Sequence, residues 1–522
     1  MSDVRIVTEP LGGSPLSRAI QSGDVPAAWS PPRPTSAAAW RSRAQERLNE
    51  GDWSHRLASL SPAMQATDAA AERLERVRRN GGVVVTTGQQ PALFGGPLYT
   101  WTKAASAIAL ADAIEERTGI ATAPIFWAAT DDADFAEASR TVVARPGGVD
   151  VLRATHEPPA GTPMSLAALG DLDDALRRLQ DAVGSAADPR PLAMTMAAYG
   201  EPARSTGDAF VQLLRGVLAP LGMPVLDASH PAVRDASMPV LTSALRAAGA
   251  IESALATRMR EIIGYGMAPQ VEDVGGLSLV FAREGSVKRR LTIAEAGRGA
   301  NAWLTPNVLL RPVVEGAILP TVAYVGGPGE IAYFAQVSAV AAAVGLSSPL
   351  AVPRWSATLV EPHVQQLLDR FGVDIDALAD PHALEGAVAR RALGEDAKAT
   401  LARLRATISA LPAALASDAK STGTTGAVEG ASKLLLHRVD RLERRLLAGV
   451  KRRETALLRD VATLRGALYP LGVRQERMLN GIPIFARHGL SLMGELRAAA
   501  SAHAERLVES AAAGTTRVGS AS

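Results

Sequence analysis

The chain has 522 residues, and 55 Lys and Arg against 53 Asp and Glu leave a formal net charge of +2. This balance lacks the basic excess of nucleic-acid-binding proteins, and the absence of cysteine excludes disulfides, thiolate metal sites and a cysteine nucleophile. No run of ~20 apolar residues is free of charge or glycine, so the sequence predicts a soluble, cytoplasmic protein with no membrane segment. The length predicts at least two domains, or one core with large insertions.

The opening of the chain is rich in Pro, Ser and Gly, which predicts irregular chain laid over a surface. Helices are predicted at 37–48 and 69–79. The strand Val83 to Thr87 follows, with the β-branched density of a buried parallel strand, and a helix with apolar residues at helical spacing runs from about Pro97 to Thr118.

The turn between this strand and helix, GQQPALFGGP at 88–97, is the first glycine turn. At the carboxyl edge of a parallel sheet, its backbone N–H groups and the helix dipole can hold an anion. Lys103 lies on the helix, close enough to reach a bound phosphate or carboxylate, but a solvated charge is an equal alternative. Many such turns serve packing alone, so a ligand role stays a hypothesis at this point.

A second strand, Pro124 to Ala129, runs directly into an acid cluster of Asp131, Asp132 and Asp134. If the two strands are parallel, these carboxylates lie beside the first glycine turn. The D-x-D spacing is used to hold a divalent ion against nucleotide phosphates, although so short a pattern also occurs by chance. Converging carboxylates would raise one another's pKa, which suits a general base.

Two segments of different composition are interpreted as insertions. The first, about 145–205, is rich in Gly, Pro and Asp around one amphipathic helix at 172–182. A helix at 208–221 and a strand at 223–227 then restore the α/β pattern. The second insertion, about 251–304, has a helix followed by a hairpin of strands at 277–281 and 289–293.

The strand Thr321 to Val325 leads into a second glycine turn, GGPG at 326–329, and a helix at 330–344. A further strand at 349–352 ends at Arg354. Neither glycine turn matches G-x-G-x-x-G or the P-loop pattern, which disfavours a standard dinucleotide or P-loop site.

From about 381 to 470 the leucines follow the spacing of a coiled-coil seam, which predicts an antiparallel helical hairpin. Pro412 should kink or shorten its first helix, and SDAKSTGTTG at 417–426 is interpreted as the linker. The second helix would be ~50 Å long, with the heptad phase slipping around 449–453. We interpret this hairpin as a packing or dimerisation arm.

Several long blocks, in order, closely resemble the bacillithiol biosynthesis cysteine-adding enzymes, the BshC family. The blocks are TTGQQPALFGGPLYTWTKAASAI (86–108), APIFWAATDDADFAE (123–137), TPNVLLRPVVEGAILPTVAYVGGPGEIAYFAQ (305–336), PLAVPRWSATLVE (349–361) and ERMLNGIPIFARHG (476–489). The resemblance implies an α/β fold with a Rossmann-like parallel-sheet core, two connecting-peptide insertions and a C-terminal antiparallel α/α coiled-coil domain. It divides the chain into core segments at 1–144, 206–250 and 305–380, insertions at 145–205 and 251–304, the coiled coil at 381–470, and a segment at 471–522 that returns to the core and ends in a flexible tail.

The resemblance also implies a reaction. It is the joining of the carboxyl group of L-cysteine to the amino group of glucosaminyl malate, an amide-forming ligase step that completes bacillithiol. The carboxylate must first be activated. The resemblance does not identify the activating cosubstrate, and ATP or ADP with Mg²⁺ is the candidate. The expected partners are these two small molecules and a second copy of the chain bound through the coiled coil, with neither nucleic acid nor membrane.

The family blocks carry over a set of site residues and no metal ligands. The catalytic candidates are Asp131, Asp132, Asp134 and Lys103. The substrate- or nucleotide-binding candidates are Gly88, Gln89, Gln90, Gly95, Gly96, Tyr99, Asn307, Arg311, Gly326, Gly327, Gly329, Glu330, Tyr333 and Arg354. Arg311 and Arg354 are expected to hold substrate carboxylates by bidentate pairing.

One position departs from the family. The acidic block usually reads Glu-Asp-His-Asp, whereas here it reads Asp131-Asp132-Ala133-Asp134. Ala133 can neither transfer a proton nor bind a metal, so the protein is impaired, has another substrate, or recruits another base such as His230. Two alternatives therefore stay open: a metal-dependent nucleotide-sugar transferase using Asp132 and Asp134, and a catalytically silent dimeric ligand-binding homologue.

Overall fold

The computed structural model describes residues 3–272, 274–296, 303–380 and 383–509. Residues 297–302 of the second predicted insertion, 381 and 382 at the start of the predicted hairpin, and 510–522 of the predicted tail lie outside the described residues. The chain divides into two compact units. The first comprises Met1–Val143, Val151–Leu359 and Glu476–Ser522, and the second comprises Ala144–Asp150 and Val360–Gln475.

The strands are β1 (Arg5–Thr8), β2 (Val83–Gln89), β3 (Thr122–Ala128), β4 (Arg140–Arg145), β5 (Gly148–Arg153), β6 (Val225–Asp227), β7 (Leu277–Glu284), β8 (Val287–Thr292), β9 (Trp303–Pro306), β10 (Thr321–Gly326), β11 (Ala351–Pro353) and β12 (Ala357–Val360). The helices are α1 (Pro15–Ser22), α2 (Ala37–Leu48), α3 (Trp53–Met64), α4 (Asp68–Asn80), α5 (Leu98–Thr118), α6 (Phe135–Ala138), α7 (Asp173–Val183), α8 (Arg190–Tyr199), α9 (Thr206–Leu218), α10 (Pro231–Arg246), α11 (Ala248–Gly264), α12 (Ile293–Ala296), α13 (Arg311–Ile318), α14 (Pro328–Ala343), α15 (Pro362–Phe371), α16 (Ala383–Arg391), α17 (Glu395–Ala414), α18 (Ala416–Ser421), α19 (Thr425–Arg453), α20 (Thr455–Leu468), α21 (Ile482–His488) and α22 (Leu492–Val508).

A five-stranded parallel sheet in the order β11-β10-β2-β3-β6 forms the centre of the first unit. The β-branched residues of β2 are buried on both faces, as expected for an inner parallel strand. The register pairs Gln89 with Ala128, so β2 and β3 end side by side. The predicted parallel pairing is confirmed, and the acid cluster follows β3 at the edge where the first glycine turn begins.

The predicted helix after the first glycine turn is confirmed as α5. It packs against β2 and β3 on one side and against α22 on the other, which explains why it is apolar all around. Gly119 ends it in the left-handed region, at φ 72°. The predicted hairpin of the second insertion is also confirmed, as the antiparallel strands β7 and β8.

The opening of the chain is more regular than predicted. The expectation of irregular chain is wrong for β1 and α1. The sequence reads as loop because α1 is only eight residues long and begins with a proline, yet Pro15 fits the first helical turn and the Ser14 side chain caps it. In the first predicted insertion α7 is confirmed, whereas α8 was missed because prolines flank and open it.

In the second unit, α17 and α19 form the predicted antiparallel hairpin around Leu401, Ile408 and Val439. Arg405 pairs with Asp440 at 2.7 Å, and Ser432 Oγ donates to the Ile408 carbonyl at 2.9 Å. Two boundaries differ from the predictions. Part of the predicted linker is helical, as α18, and the second helix is not continuous, because it breaks at Glu454 where the heptad phase slips.

No helix within the described ranges has the length and apolar character needed to cross a bilayer.

The first glycine turn is fixed to the returning C-terminal segment by Asn480, which is 2% exposed. Its side-chain Nδ2 donates to the Phe94 carbonyl at 2.9 Å and to Thr141 Oγ1 at 3.1 Å, and its Oδ1 accepts from Ile482 N at 2.9 Å. A buried amide that satisfies three groups is costly to remove, because each partner loses its hydrogen bond without gaining water.

We expect Asn480→Ala to lower the free energy of unfolding by about 1–3 kcal/mol, because buried partners are left unsatisfied. Urea denaturation followed by circular dichroism measures this change. The control is Asn49→Ala, at the exposed end of α2, which should change the midpoint little. Equal midpoints for both variants would contradict the role assigned to Asn480.

Candidate functional site

A cavity of about 300 Å³, the first cavity, opens at the carboxyl edge of the parallel sheet within the first unit. Most of the predicted site residues line it: Gly88, Gln89, Gln90, Tyr99, Lys103, Asp132, Arg311, Gly327, Gly329, Glu330, Tyr333 and Arg354. The sheet brings them together because β2, β3 and β10 are adjacent and parallel, so that the loops following them meet at one edge.

Lys103 joins the two glycine turns. Its Nζ donates to the Gly88 carbonyl at 2.9 Å and to Gln89 Oε1 at 3.0 Å, and it lies 2.6 Å from Glu330 Oε2. Burial lowers the pKa of Lys103, and the Glu330 carboxylate opposes that shift. Lys103 is only 4% exposed, so the alternative of a solvated charge is wrong.

Glu330 organises the second glycine turn. Its Oε2 accepts from Gly327 N at 2.7 Å, which caps the first turn of α14, and its Oε1 accepts from the Tyr324 hydroxyl. The pKa of Glu330 is lowered despite burial, because Lys103 and these donors favour the carboxylate. The two glycine turns are therefore connected through one buried ion pair.

Arg311 lies beside this pair and is fully engaged. Its Nη1 donates to Glu315 at 2.9 Å, and its Nη2 donates to the hydroxyls of Tyr333 at 3.2 Å and Tyr324 at 3.3 Å. Burial raises the pKa of Glu315 to about 6, against the opposing charge of Arg311.

Arg354 is held in the same way by Glu476. Its Nη1 and Nη2 lie 2.7 and 2.6 Å from the two oxygens of that carboxylate, and both side chains are buried. We expected Arg354 to pair with a substrate carboxylate through both Nη atoms. That prediction is wrong, because Glu476 already occupies both of them.

The three acidic side chains have different surroundings and do not all face one cavity. Asp132 lines the first cavity, and its Oδ1 accepts from Ala133 N at 2.6 Å and Asp134 N at 3.1 Å. Asp131 is buried, which raises its pKa against the opposing charge of Lys288. Asp134 caps α6 by accepting from Glu137 N and faces a different cavity.

This divergence bears on the D-x-D alternative, which needs both carboxylates on one ion. Among the described residues, no group of three or more His, Asp and Glu side chains is arranged to hold a metal. Because Asp132 and Asp134 line different cavities, the geometry disfavours a transferase that uses both as a metal clamp.

The remaining predicted residues support the site without lining the first cavity. Gly95 and Gly96 have φ of 82° and 75°, and a Cβ on Gly95 would lie 2.8 Å from the Trp101 ring. Asn307 Oδ1 accepts from Leu309 N and Leu310 N ahead of α13, and Gly326 ends β10. His230 Nδ1 accepts from Ala232 N, so this histidine caps α10.

Sequence reasoning missed several lining residues: Trp127, Ala129, Val308, Pro328 and Arg477. For Trp127 and Arg477, the sequence held a signal that could have identified them. Both lie in the blocks that carry the family resemblance, which was the available signal. The buried indole Nε1 of Trp127 has no hydrogen-bond partner within the part of the chain that the structure describes.

Comparison with known proteins accounts for nearly the whole chain. Residues 32–298 and 288–355 match the bacillithiol biosynthesis BshC N-terminal Rossmann-like domain, and residues 357–507 match the C-terminal coiled-coil domain of the same family. The chain belongs to the BshC family. The Rossmann-like core and the coiled coil are thereby confirmed.

Curated relatives carry the name "Putative cysteine ligase BshC". The protein from Solibacter usitatus is 32% identical over 460 residues, covering 84% of this chain and 86% of its own length. The protein from Koribacter versatilis is 31% identical over 477 residues, covering 86% and 87%. The protein from Staphylococcus carnosus is 25% identical over 467 residues, covering 82% and 84%. Membership in the BshC family supports a ligase of bacillithiol biosynthesis that acts on small molecules.

We expect Lys103→Met to destabilise the protein by about 3–5 kcal/mol, because it leaves the buried Glu330 carboxylate without its cation. The double variant Lys103→Met/Glu330→Gln should recover part of this loss, which a double-mutant cycle by urea denaturation measures.

The matched control is Arg177→Met, which removes an exposed partner of Asp174 on α7 in the same unit and should cost less than about 1 kcal/mol. A Lys103 variant as stable as this control would show that the buried pair does not hold the two turns together.

Proposed function

We propose that this BshC-family protein joins the carboxyl group of L-cysteine to the amino group of glucosaminyl malate, forming the amide bond that completes bacillithiol. The observation that carries the proposal is the first cavity, where Asp132 lies beside the two glycine turns. The names of the relatives support a ligase. The proposal adds the identity of the two substrates.

Amide formation requires a leaving group on the carboxyl carbon. We propose ATP with Mg²⁺ as the cosubstrate, which would supply that leaving group when bound. The residues proposed to hold its phosphates are Gly327 and Gly329 at the N-terminus of α14, where the helix dipole favours an anion. Glu330 occupies part of that N-terminus, so the phosphates must share it with this carboxylate.

The protein residues then have distinct roles. Asp132 is the carboxylate placed to accept the proton that the attacking ammonium group must lose, since it alone of the acid cluster lines the first cavity. Lys103, Arg311 and Arg354 act through their ion pairs, which fix the walls of the cavity around the reacting groups.

We expect purified protein, incubated with glucosaminyl malate, cysteine and MgATP, to form bacillithiol, detected by mass spectrometry of the derivatised thiol. Asp132→Asn should lower kcat by a factor of about 10²–10⁴, the usual contribution of a general base. Asp181→Asn, at an exposed position of α7, is the control and should retain full activity. Absence of product with and without nucleotide would contradict the proposal.

A catalytically silent homologue is the second candidate, favoured by Ala133 in place of the family's histidine. The same assay separates the two. If the natural protein gives no product but Ala133→His does, the site is intact and the natural chain has lost its activity.

We further propose that the protein is a homodimer through its second unit. Several leucines on α17 and α19 are exposed: Leu404 (40%), Leu434 (57%), Leu435 (44%), Leu442 (47%) and Leu446 (37%). A second copy of the hairpin would bury this apolar stripe.

Light scattering coupled to size-exclusion chromatography should therefore give the mass of a dimer, and Leu435→Lys/Leu442→Lys should give a monomer with unchanged helix content. Leu166→Lys, an equally exposed leucine of the first unit, is the control and should remain dimeric. A monomeric natural protein, or a dimer that tolerates both lysines, would rule out this interface.

A further inference from the structure

A second cavity, of about 680 Å³, lies beside the first within the first unit, and the function proposed above leaves it unused. Its walls come from α6, the start of β4, the chain at 153–157, and Arg477 and Met478. Tyr99 and Arg477 line both cavities, so the two spaces meet at these side chains. Ligand sites commonly occupy about 300–1,000 Å³, so the first cavity is at the low end of that range and the second lies well inside it.

Three arginines contribute positive charge to the second cavity. Arg140, Arg153 and Arg477 are exposed side chains that line it, and no carboxylate among the described residues lies within ion-pairing distance of any of them. By contrast, two arginines that line only the first of these two cavities, Arg311 and Arg354, are paired with buried glutamates. Unpaired guanidinium groups around a cavity suit the carboxylates of a bound molecule.

The remaining lining groups suit an ammonium group and hydroxyls. Glu137 and Glu157 contribute carboxylates, and Ser139 and Thr155 contribute hydroxyls. Asp134 lies near Glu137, and burial together with this neighbour raises the pKa of Glu137. A cavity that offers arginines, carboxylates and hydroxyls matches a hydroxylated molecule that carries both carboxylates and an amine.

We infer that the second cavity binds the amine-bearing substrate, an amino sugar joined to a dicarboxylic acid, while the first cavity takes the carboxyl group that is activated. This inference rests on the proposed function and names the site of its second substrate. The substrate's carboxylates face the arginines of the second cavity, and its amine end points past Tyr99 to the side of the first cavity lined by Asp132.

The C-terminal segment that carries Arg477 is fixed on both sides, which makes the junction rigid. Glu476 is held by Arg354 and by Ser356 Oγ at 2.8 Å. Leu479 bridges to Val142, and Asn480 bridges to Pro97. The backbone at Arg477 is therefore anchored between the two cavities, where its exposed guanidinium is available to a substrate carboxylate.

Isothermal titration of glucosaminyl malate into the full chain, without cysteine or nucleotide, tests this assignment. We expect Arg140→Ala/Arg153→Ala to raise Kd at least tenfold. Ala136→Trp, which fills the second cavity without removing a charge, should do the same. Arg246→Ala, an exposed arginine of α10, is the control and should leave Kd unchanged. Thermal unfolding verifies that each variant is folded.

The outcomes separate this inference from the proposed function. If the natural protein forms product and binds the substrate, but Kd is insensitive to all second-cavity variants, the amine substrate binds elsewhere and the inference is overturned while the function stands. If the natural protein neither binds glucosaminyl malate nor forms product, both fail. Should the second-cavity variants be unfolded, Arg153→Gln alone must still raise Kd severalfold, and an unchanged Kd for that folded variant overturns the inference.

Discussion

The buried ion pair between Lys103 and Glu330 is the interaction on which the site depends. Lys103 comes from the helix after one glycine turn and Glu330 from the first turn of the helix after the other. The ammonium also holds Gly88 and Gln89, and the carboxylate also holds Gly327. Burying two charges is favourable only when every remaining hydrogen-bonding position is satisfied, and here these contacts satisfy them. The pair thereby fixes the relative position of the two loops that form the cavity.

The same reasoning explains why Arg311 and Arg354, which were expected to bind substrate carboxylates, pair with carboxylates of the protein instead. Arg311 and Arg354 lie in a buried environment where an unpaired guanidinium would be costly, and Glu315 and Glu476 neutralise them. Recognition must then rely on groups that the fold leaves available, among them Asp132 and the exposed Arg477. The buried arginines determine the shape of the site, while the exposed arginines provide charge for a ligand.

The sequence correctly predicted those strands and helices that are determined by residues close together in the chain. The β-branched run of β2, the helical spacing of α5 and the hairpin of β7 and β8 each depend on neighbours along the chain, and each was found where expected. Since parallel strands end at one edge, the lining by Gln89, Asp132 and Gly327 could also be predicted. The partners of the buried charges could not. Arg354 and Glu476 are 122 residues apart, and no local spacing links them. The divergence of Asp131, Asp132 and Asp134 likewise follows from a tight turn, which a list of adjacent carboxylates does not reveal.

The geometry of that turn also limits the effect that an alanine at position 133 can have on the structure. Asp132 Oδ1 accepts from Ala133 N and Asp134 N, so the turn is held by the aspartate side chain and the backbone. A side chain at 133 takes no part in these bonds, so a histidine there would add a titratable group without adding a contact that forms the turn. Any consequence of the substitution should thus lie in the chemistry of the site and leave its architecture unchanged. The intact pairs of Lys103, Arg311 and Arg354 agree with this separation, because none of them involves the turn at 131–134.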